Sequence, residues 1–342
     1  MKIKSIAFLI VIIMIIPHFT SCESEPVTVS TRQYFAFDTI VSVMYYGDYD
    51  ERIFSEIDEI LVRYENVFSA TNSESDLYQL NENGTLNENE ELFLVLKKAL
   101  EVSASTSGAF DVTVLPLVKA WGFFDKNYKV PSASELEDAL EHVSYENVIL
   151  QNNNSVLLNG AAKVDLGGIA KGYVSDKIIQ YLKNEDVSGG IVSVGGSSAV
   201  FGSKPDKTSY KIGIVDPTDT SKIAGAVSVR DKSVLTSGTY QRNFEKDGVL
   251  YHHILDPETG FPVNNGLLSV TVISDSGMSS DALSTALFVM GLDEAMQYYK
   301  THGGFEAVFL TSDNKFYITD GLKDSIEINL DGKFILQFTS EE

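Results

Sequence analysis

Asp281 and Thr285 stand four residues apart in the run Asp281-Ala282-Leu283-Ser284-Thr285-Ala286-Leu287. That spacing puts both on one face of a helix. A carboxylate and a hydroxyl on an otherwise apolar helix are oxygen ligands of the kind Mg²⁺ takes, with water and phosphate completing its shell. The pair also suits a plain helix, with Asp281 against the positive end of the dipole and Thr285 bonded to its own backbone. A second segment, Ala162 to Tyr173, predicts a strand carrying Asp165 to its end, a bend at Gly167-Gly168 and a helix start bearing Lys171. Such a bend lets backbone approach a ligand, and a helix N-terminus favours anions. An ordinary strand-turn-helix junction with solvated Asp165 and Lys171 reads the same way. The third segment, His252 to Pro262, holds the turn Asp256-Pro257-Glu258-Thr259-Gly260, which leaves His253 and Asp256 near a strand end. Adjacent strand residues face opposite sides, so at most one of His252 and His253 meets a site. A lone histidine is otherwise a hydrogen-bonded structural residue.

Other chemistry is not announced. The chain has no GxGxxG and no GxxxxGK[ST], hence no Rossmann or P-loop signature. HExxH is absent, and so is the GxSxG of many hydrolases.

The elements that must position these residues fall into two halves. Tyr34 to Tyr46 predicts a strand closing on a turn at Gly47-Asp48. Ile53, Ile57, Ile60, Leu61, Tyr64, Val67 and Phe68 recur at helical spacing, predicting a helix over 50–68. A second helix follows from Glu90 to about Ser103, and Ser132 with Glu135 forms a capping box that opens a third. After Asn147 the chain turns mostly to strands, at 148–150, 156–158, 191–194, 210–215, 226–229, 250–255, 267–274, 308–310 and 315–319. Helices interrupt them over 169–183, 281–290 and 293–302. Helices cluster early and strands late, without β-α-β alternation, which argues an α+β fold with a largely antiparallel sheet and peripheral helices. No repeat or internal linker divides it, so a single domain is expected.

The N-terminus reads as an address. Lys2 and Lys4 precede an uncharged apolar run from Ile6 to Pro17, then Thr20, Ser21 and Cys22, the only cysteine. That is a secretory signal over 1–21, too short for a spanning helix of about 20 apolar residues. Phe19-Thr20-Ser21-Cys22 resembles a lipobox, with Phe19 in place of the usual Leu, so Cys22 is the expected lipidation site and 22–32 a polar tether before a domain over 33–342. The expected location is the outer face of a bacterial cytoplasmic membrane. One cysteine excludes internal disulfides and CxxC redox pairs. Losing Lys2 and Lys4 takes the formal charge from −22 to −24, which disfavours nucleic acid as a partner.

Taken in order, these segments resemble the ApbE family of FAD:protein FMN transferases. The likeness runs over about residues 33–320. It includes Phe68-Ser69 through Ser75-Asp76-Leu77 to Asn81, Ser107-Gly108-Ala109-Phe110-Asp111-Val112 with Pro116-Leu117, and the Asp165–Tyr173 loop. Val194-Gly195-Gly196, Ile214 to Pro217, Thr236-Ser237-Gly238-Thr239-Tyr240, the His253–Pro262 turn and Ser269 to Gly291 follow. Each piece is weak alone; the ordered set is specific.

The resemblance implies a T-fold-like domain that moves FMN from FAD to a Thr or Ser hydroxyl of another protein, releasing AMP. It implies Mg²⁺ on the Gly168 carbonyl, Asp281 and Thr285. FAD contacts would come from Phe37, Thr71, Ala109, Phe110, Asp111, Asp165, Lys171 and Leu255. In that chemistry Lys171 steadies the phosphates and His253 or a nearby Asp takes the hydroxyl proton, which makes His253, Asp281 and Lys171 the candidate catalytic residues. Acceptors of the family carry D-x-x-[ST]-G-[AS]-T, which this chain lacks. Phe37 stands where Met is common, Thr71 where an aromatic is common and Ser197 where Asn is frequent; losing the aromatic at 71 would weaken flavin stacking. A Mg²⁺-dependent FAD pyrophosphatase would share this site, and a non-catalytic flavin carrier would need no metal ligands.

Overall fold

The computed structural model describes residues 27–328 and 333–338. The signal segment and Cys22 lie outside the described residues. Nine strands make the main sheet, and their order in space is their order along the chain: β1 (Val29–Ala36), β2 (Thr39–Tyr46), β3 (Gly189–Val194), β4 (Ser197–Gly202), β5 (Ser233–Gly238), β6 (Leu267–Ser274), β7 (Glu306–Thr311), β8 (Lys315–Ile318) and β9 (Ile335–Phe338). Every neighbouring pair is antiparallel except β8 beside β9. The helices enter between strands: α1 (Glu51–Phe68), α2 (Asp76–Asn83), α3 (Glu90–Ser105), α4 (Leu115–Ala120), α5 (Ala133–Leu140) and α6 (Ala170–Asn184) between β2 and β3, then α7 (Gly277–Met290) and α8 (Leu292–His302) between β6 and β7.

The two-residue period of a strand sorts the apolar side chains onto two faces. Val192, Val194, Val270, Val272, Ala307 and Phe309 enter the core shared with the helices. Val234, Ile273, Val308, Leu310, Phe316 and Ile318 instead pack with Tyr210, Ile212, Ile214 and Val227, which belong to a small sheet of Tyr210–Val215, Ile223–Val229 and Ile326–Ile328. The middle strands are therefore apolar on both sides, each buried Val, Leu, Ile or Phe contributing about 1.5–3 kcal/mol. A third cluster joins Trp121, Leu117 and Leu136 to Leu255, Phe244 and Tyr251.

Several expectations shift. The strand expected over 34–46 is a hairpin, because Phe37 and Asp38 both have positive φ (55° and 57°) and turn the chain there. The first strand begins at Val29, inside the expected tether. The strand expected to deliver Asp165 is an extended segment; it pairs with a side chain instead, Asn81 donating to the Val164 carbonyl (2.8 Å) and accepting from Val164 N–H (2.6 Å). Helix α7 starts one turn earlier than expected, capped by Ser276, and the strand expected over 250–255 stops at His252. Helices α2 and α4 and strands β4 and β5 were not legible as elements in the sequence. Both halves of the Ser132/Glu135 capping box are made.

Candidate active site

The polar centre lies where α6 and α7 touch. A Cβ on Gly172 would stand 2.1 Å from the Gly277 carbonyl oxygen, and one on Gly277 2.6 Å from that of Gly172. Only glycine permits this approach. It carries the Asp281 carboxylate under the start of α6, where its Oδ2 accepts from the Gly172 N–H at 3.0 Å. The Asp176 carboxylate on α6 returns the contact by accepting from Gly277 N–H (2.8 Å), Met278 N–H (3.1 Å) and the Ser276 hydroxyl (3.2 Å). The first two orphan donors of α7 are thus satisfied from a different helix, and Ser276 takes the third.

Asp281 is 5% exposed. Burial pushes its carboxyl above the usual carboxylate range, against the pull of the Lys171 ammonium and the backbone N–H groups at the start of α6. Its Oδ1 lies 3.9 Å from Lys171 Nζ, outside hydrogen-bond range. Lys171 itself donates to the Gly167 carbonyl, and Gly167 N–H donates to Asp165 Oδ1 at 2.9 Å. Gly168 faces both Phe110 and Thr285: a Cβ there would be 3.0 Å from Phe110 Cε2 and 3.6 Å from Thr285 Oγ1. Asp281, Thr285, Gly168, Lys171, Asp165 and Phe110 are therefore brought together.

The histidines divide as strand geometry requires. His252 is buried and edge-on to Phe288. Its Nδ1 accepts from Ile254 N–H at 3.3 Å, so Nε2 carries the proton given to the Val263 carbonyl at 2.9 Å. It is structural. His253 turns the other way, with Nδ1 3.2 Å from the Arg242 carbonyl. Burial first, then the Arg242 and Lys171 charges, push its pKa down to about 3. Arg242 in turn pairs with Asp38 at the tip of the β1–β2 hairpin (3.2 Å), which also holds Lys126 (3.0 Å). Phe37, next to Asp38, packs against the main core, and its N–H donates to Glu65 at 2.7 Å.

Other expected flavin contacts serve local structure. Asp111 spends Oδ1 on Thr113 N–H (2.7 Å) and hydroxyl (2.6 Å) and Oδ2 on Tyr145 N–H (2.8 Å). Ala109 N–H bonds the Thr106 carbonyl at 3.1 Å. Thr71 is exposed in the turn after α1 and bonds Ser69. Leu255 packs in the Trp121 cluster, while Asp256 closes its own turn by accepting from Glu258 N–H and the Thr259 hydroxyl. Sequence reasoning missed Asp176 and Arg242. A signal for the first existed: Gly172 and Asp176 lie four apart, one face of α6.

A hard cation fits this donor set. Among the described residues no three or more His, Cys, Asp and Glu side chains converge to hold a metal. What the structure brings together is one desolvated carboxylate, Asp281, with the Thr285 hydroxyl beside the Gly168 loop, oxygen donors of the kind Mg²⁺ takes along with water and phosphate.

Fold and site define an α+β protein whose centre is a buried acid and hydroxyl set against a helix N-terminus, with a lysine beside them. The chain belongs to the ApbE family, whose model matches residues 37–309. It is 34% identical over 301 residues to the FAD:protein FMN transferase of Treponema pallidum, covering 82% of this chain and 83% of that one. It is 31% identical over 277 residues to that of Klebsiella pneumoniae, covering 79% and 86%. Among solved structures, the ApbE protein of Thermotoga maritima superposes with a TM-score of 0.78 at 34% identity, over 90% of this chain and 98% of that one. The flavin transferase ApbE of Vibrio cholerae gives 0.80 at 28% identity, over 88% and 100%.

Proposed function

We propose that this chain is an FAD:protein FMN transferase that uses Mg²⁺. The observation that carries the reading is the meeting of Asp281, Thr285, Gly168 and Lys171 at the α6–α7 contact, in a member of a family whose relatives are named for this reaction. A Thr or Ser hydroxyl of the acceptor attacks the FMN phosphorus of FAD. The new O–P bond forms as the pyrophosphate O–P bond breaks, and AMP leaves with the bridging oxygen. Mg²⁺, held by Asp281, Thr285 and the Gly168 carbonyl, would offset charge gathering on the pyrophosphate.

The protein's own groups do the rest. Lys171 holds the phosphates by charge, beside the positive end of α6, whose own first N–H groups are bonded to Asp281 and Leu166. Phe110, packed against Gly168, walls the loop. His253 keeps its proton on Nδ1, facing the Arg242 carbonyl, and its Nε2 lone pair takes the proton from the attacking hydroxyl once the negative FAD phosphates offset the Arg242 and Lys171 charges that hold its pKa down. Positioning and charge, not covalent chemistry, carry the rate.

The acceptor is a flavoprotein bearing D-x-x-[ST]-G-[AS]-T, met on the outer face of the cytoplasmic membrane where lipid on Cys22 anchors the enzyme. A Cys22→Ala chain that stays in the membrane fraction would remove the anchor from this account. The central test mixes the domain with FAD, Mg²⁺ and an acceptor domain, and follows acceptor mass. An FMN-sized gain that vanishes in Asp281→Ala is expected. AMP without labelling would make the protein an FAD pyrophosphatase, and unchanged bound FAD would make it a carrier.

A further inference from the structure

Two hydroxyls outside the mechanism above, those of Ser237 and Ser284, form one chain that ends on Thr285. Ser237, near the end of β5, has its Oγ 3.0 Å from Thr285 Oγ1 and 2.9 Å from Ser284 Oγ. Ser284 is buried, and its Oγ donates to the Asp281 carbonyl at 2.9 Å. Each hydroxyl owns one proton and two lone pairs, and this fixes the direction of the chain. The Ser284 proton is spent on Asp281, so Ser284 accepts from Ser237. The Ser237 proton is then spent on Ser284, so Ser237 accepts from Thr285. The Thr285 proton therefore points at β5, and its oxygen is left as an acceptor for the space shared with Gly168. A cation ligand must have somewhere to put its proton away from the positive charge; here that place is built in.

We propose that Ser237, backed by Ser284, is a positioning residue for the cation: it takes the Thr285 proton and so commits the Thr285 oxygen to metal ligation. This rests on the metal reading of Gly168, Asp281 and Thr285 above. It assigns work to the Ser of Thr236-Ser237-Gly238 without contact between that Ser and the metal. Outer partners of this kind commonly account for about 10–100-fold in metal affinity.

The experiment binds Mn²⁺ to the metal-free mature domain without FAD, reading free ion by electron paramagnetic resonance and folding by thermal unfolding. Ser237→Ala is expected to weaken Mn²⁺ binding about tenfold, with Ser237→Thr, which keeps a hydroxyl, restoring it. In a Thr285→Val background Ser237→Ala is expected to cost nothing more, because both act through one contact. Wild-type affinity in Ser237→Ala, or an equal loss with and without Thr285, overturns the proposal. If Ser237→Ala does not fold, failure of Ser284→Ala to weaken binding overturns it instead. Asp281→Ala separates the two levels: Mn²⁺ bound as in wild type there overturns the metal reading itself, whereas loss there with no effect at Ser237 overturns only the relay.

Discussion

Burial and the cations of Arg242 and Lys171 hold His253 neutral, and that has a consequence for the whole chain's pH stability. The unfolded chain binds a proton at this imidazole below about pH 6.5, while the folded site refuses it until about 3. Its contribution is thus complete above about pH 6.5 and shrinks as pH falls from there toward 3. His252, pushed down by its own burial, adds to the same slope. His253→Gln is expected to reduce, not abolish, the loss of stability between about pH 7 and 4.5. Urea unfolding across that range checks it, and an unchanged slope would place His253 in solvent. Asp281 has the opposite sign. Its folded carboxyl keeps a proton longer than the unfolded one, so the stability it contributes is present in acid and lost as pH rises through its folded pKa. The fold by itself thus disfavours the charged form of Asp281.

At the scale of elements, everything turns on two helices separated by a hundred residues of sequence and touching through Gly172 and Gly277. Gly172→Ala cannot be absorbed by a rotamer change, since its clash is with backbone. It is expected to cost about 1–3 kcal/mol of stability. By moving Asp281 off the start of α6 it should slow FMN transfer by about a hundredfold, the effect of a 1 Å misplacement. Transfer kinetics together with chemical unfolding would show it, and near-normal transfer would mean that the close contact does not set the site. This arrangement also explains what the sequence revealed. The four-residue spacing of Asp281 and Thr285 is local, so it was legible. The partner of Asp281, the start of α6, was not, because no local pattern says which helices meet. Phe37-Asp38 hid a hairpin turn because neither residue is the glycine or asparagine that usually takes positive φ. Strands β4 and β5, rich in Ser and Gly, lack the β-branched density that marked β6. Asp165 ends an irregular segment, not the expected strand, because the neighbouring Val164 is held by the Asn81 side chain, which no strand pattern announces.

Across the molecule, one sheet serves two cores with different duties. Side chains on one face of β7, such as Phe309, lie in the core with α7; those on the other, such as Leu310, face the small sheet. Leu310→Ala is expected to cost about 2–5 kcal/mol while leaving Mg²⁺ affinity near wild type, because the small-sheet core lies across the sheet from α7, which carries the proposed ligands Asp281 and Thr285. Chemical unfolding and a metal titration on the same variant test this; a parallel loss of affinity would mean that the two faces are coupled. Stability in this fold is thus partly separable from the chemistry.

The chain owns a single indole, Trp121, which is fully buried and donates to the Gly260 carbonyl at 2.7 Å in the turn that follows His253. Light at the long-wavelength edge of the protein's aromatic absorption, where tyrosine no longer absorbs, therefore excites one chromophore at one known address. Isoalloxazine absorbs where indole emits, so a flavin arriving near that turn drains the emission by resonance energy transfer. The molecule thereby carries its own optical clock, able to time flavin arrival separately from the chemistry that follows, with no label attached.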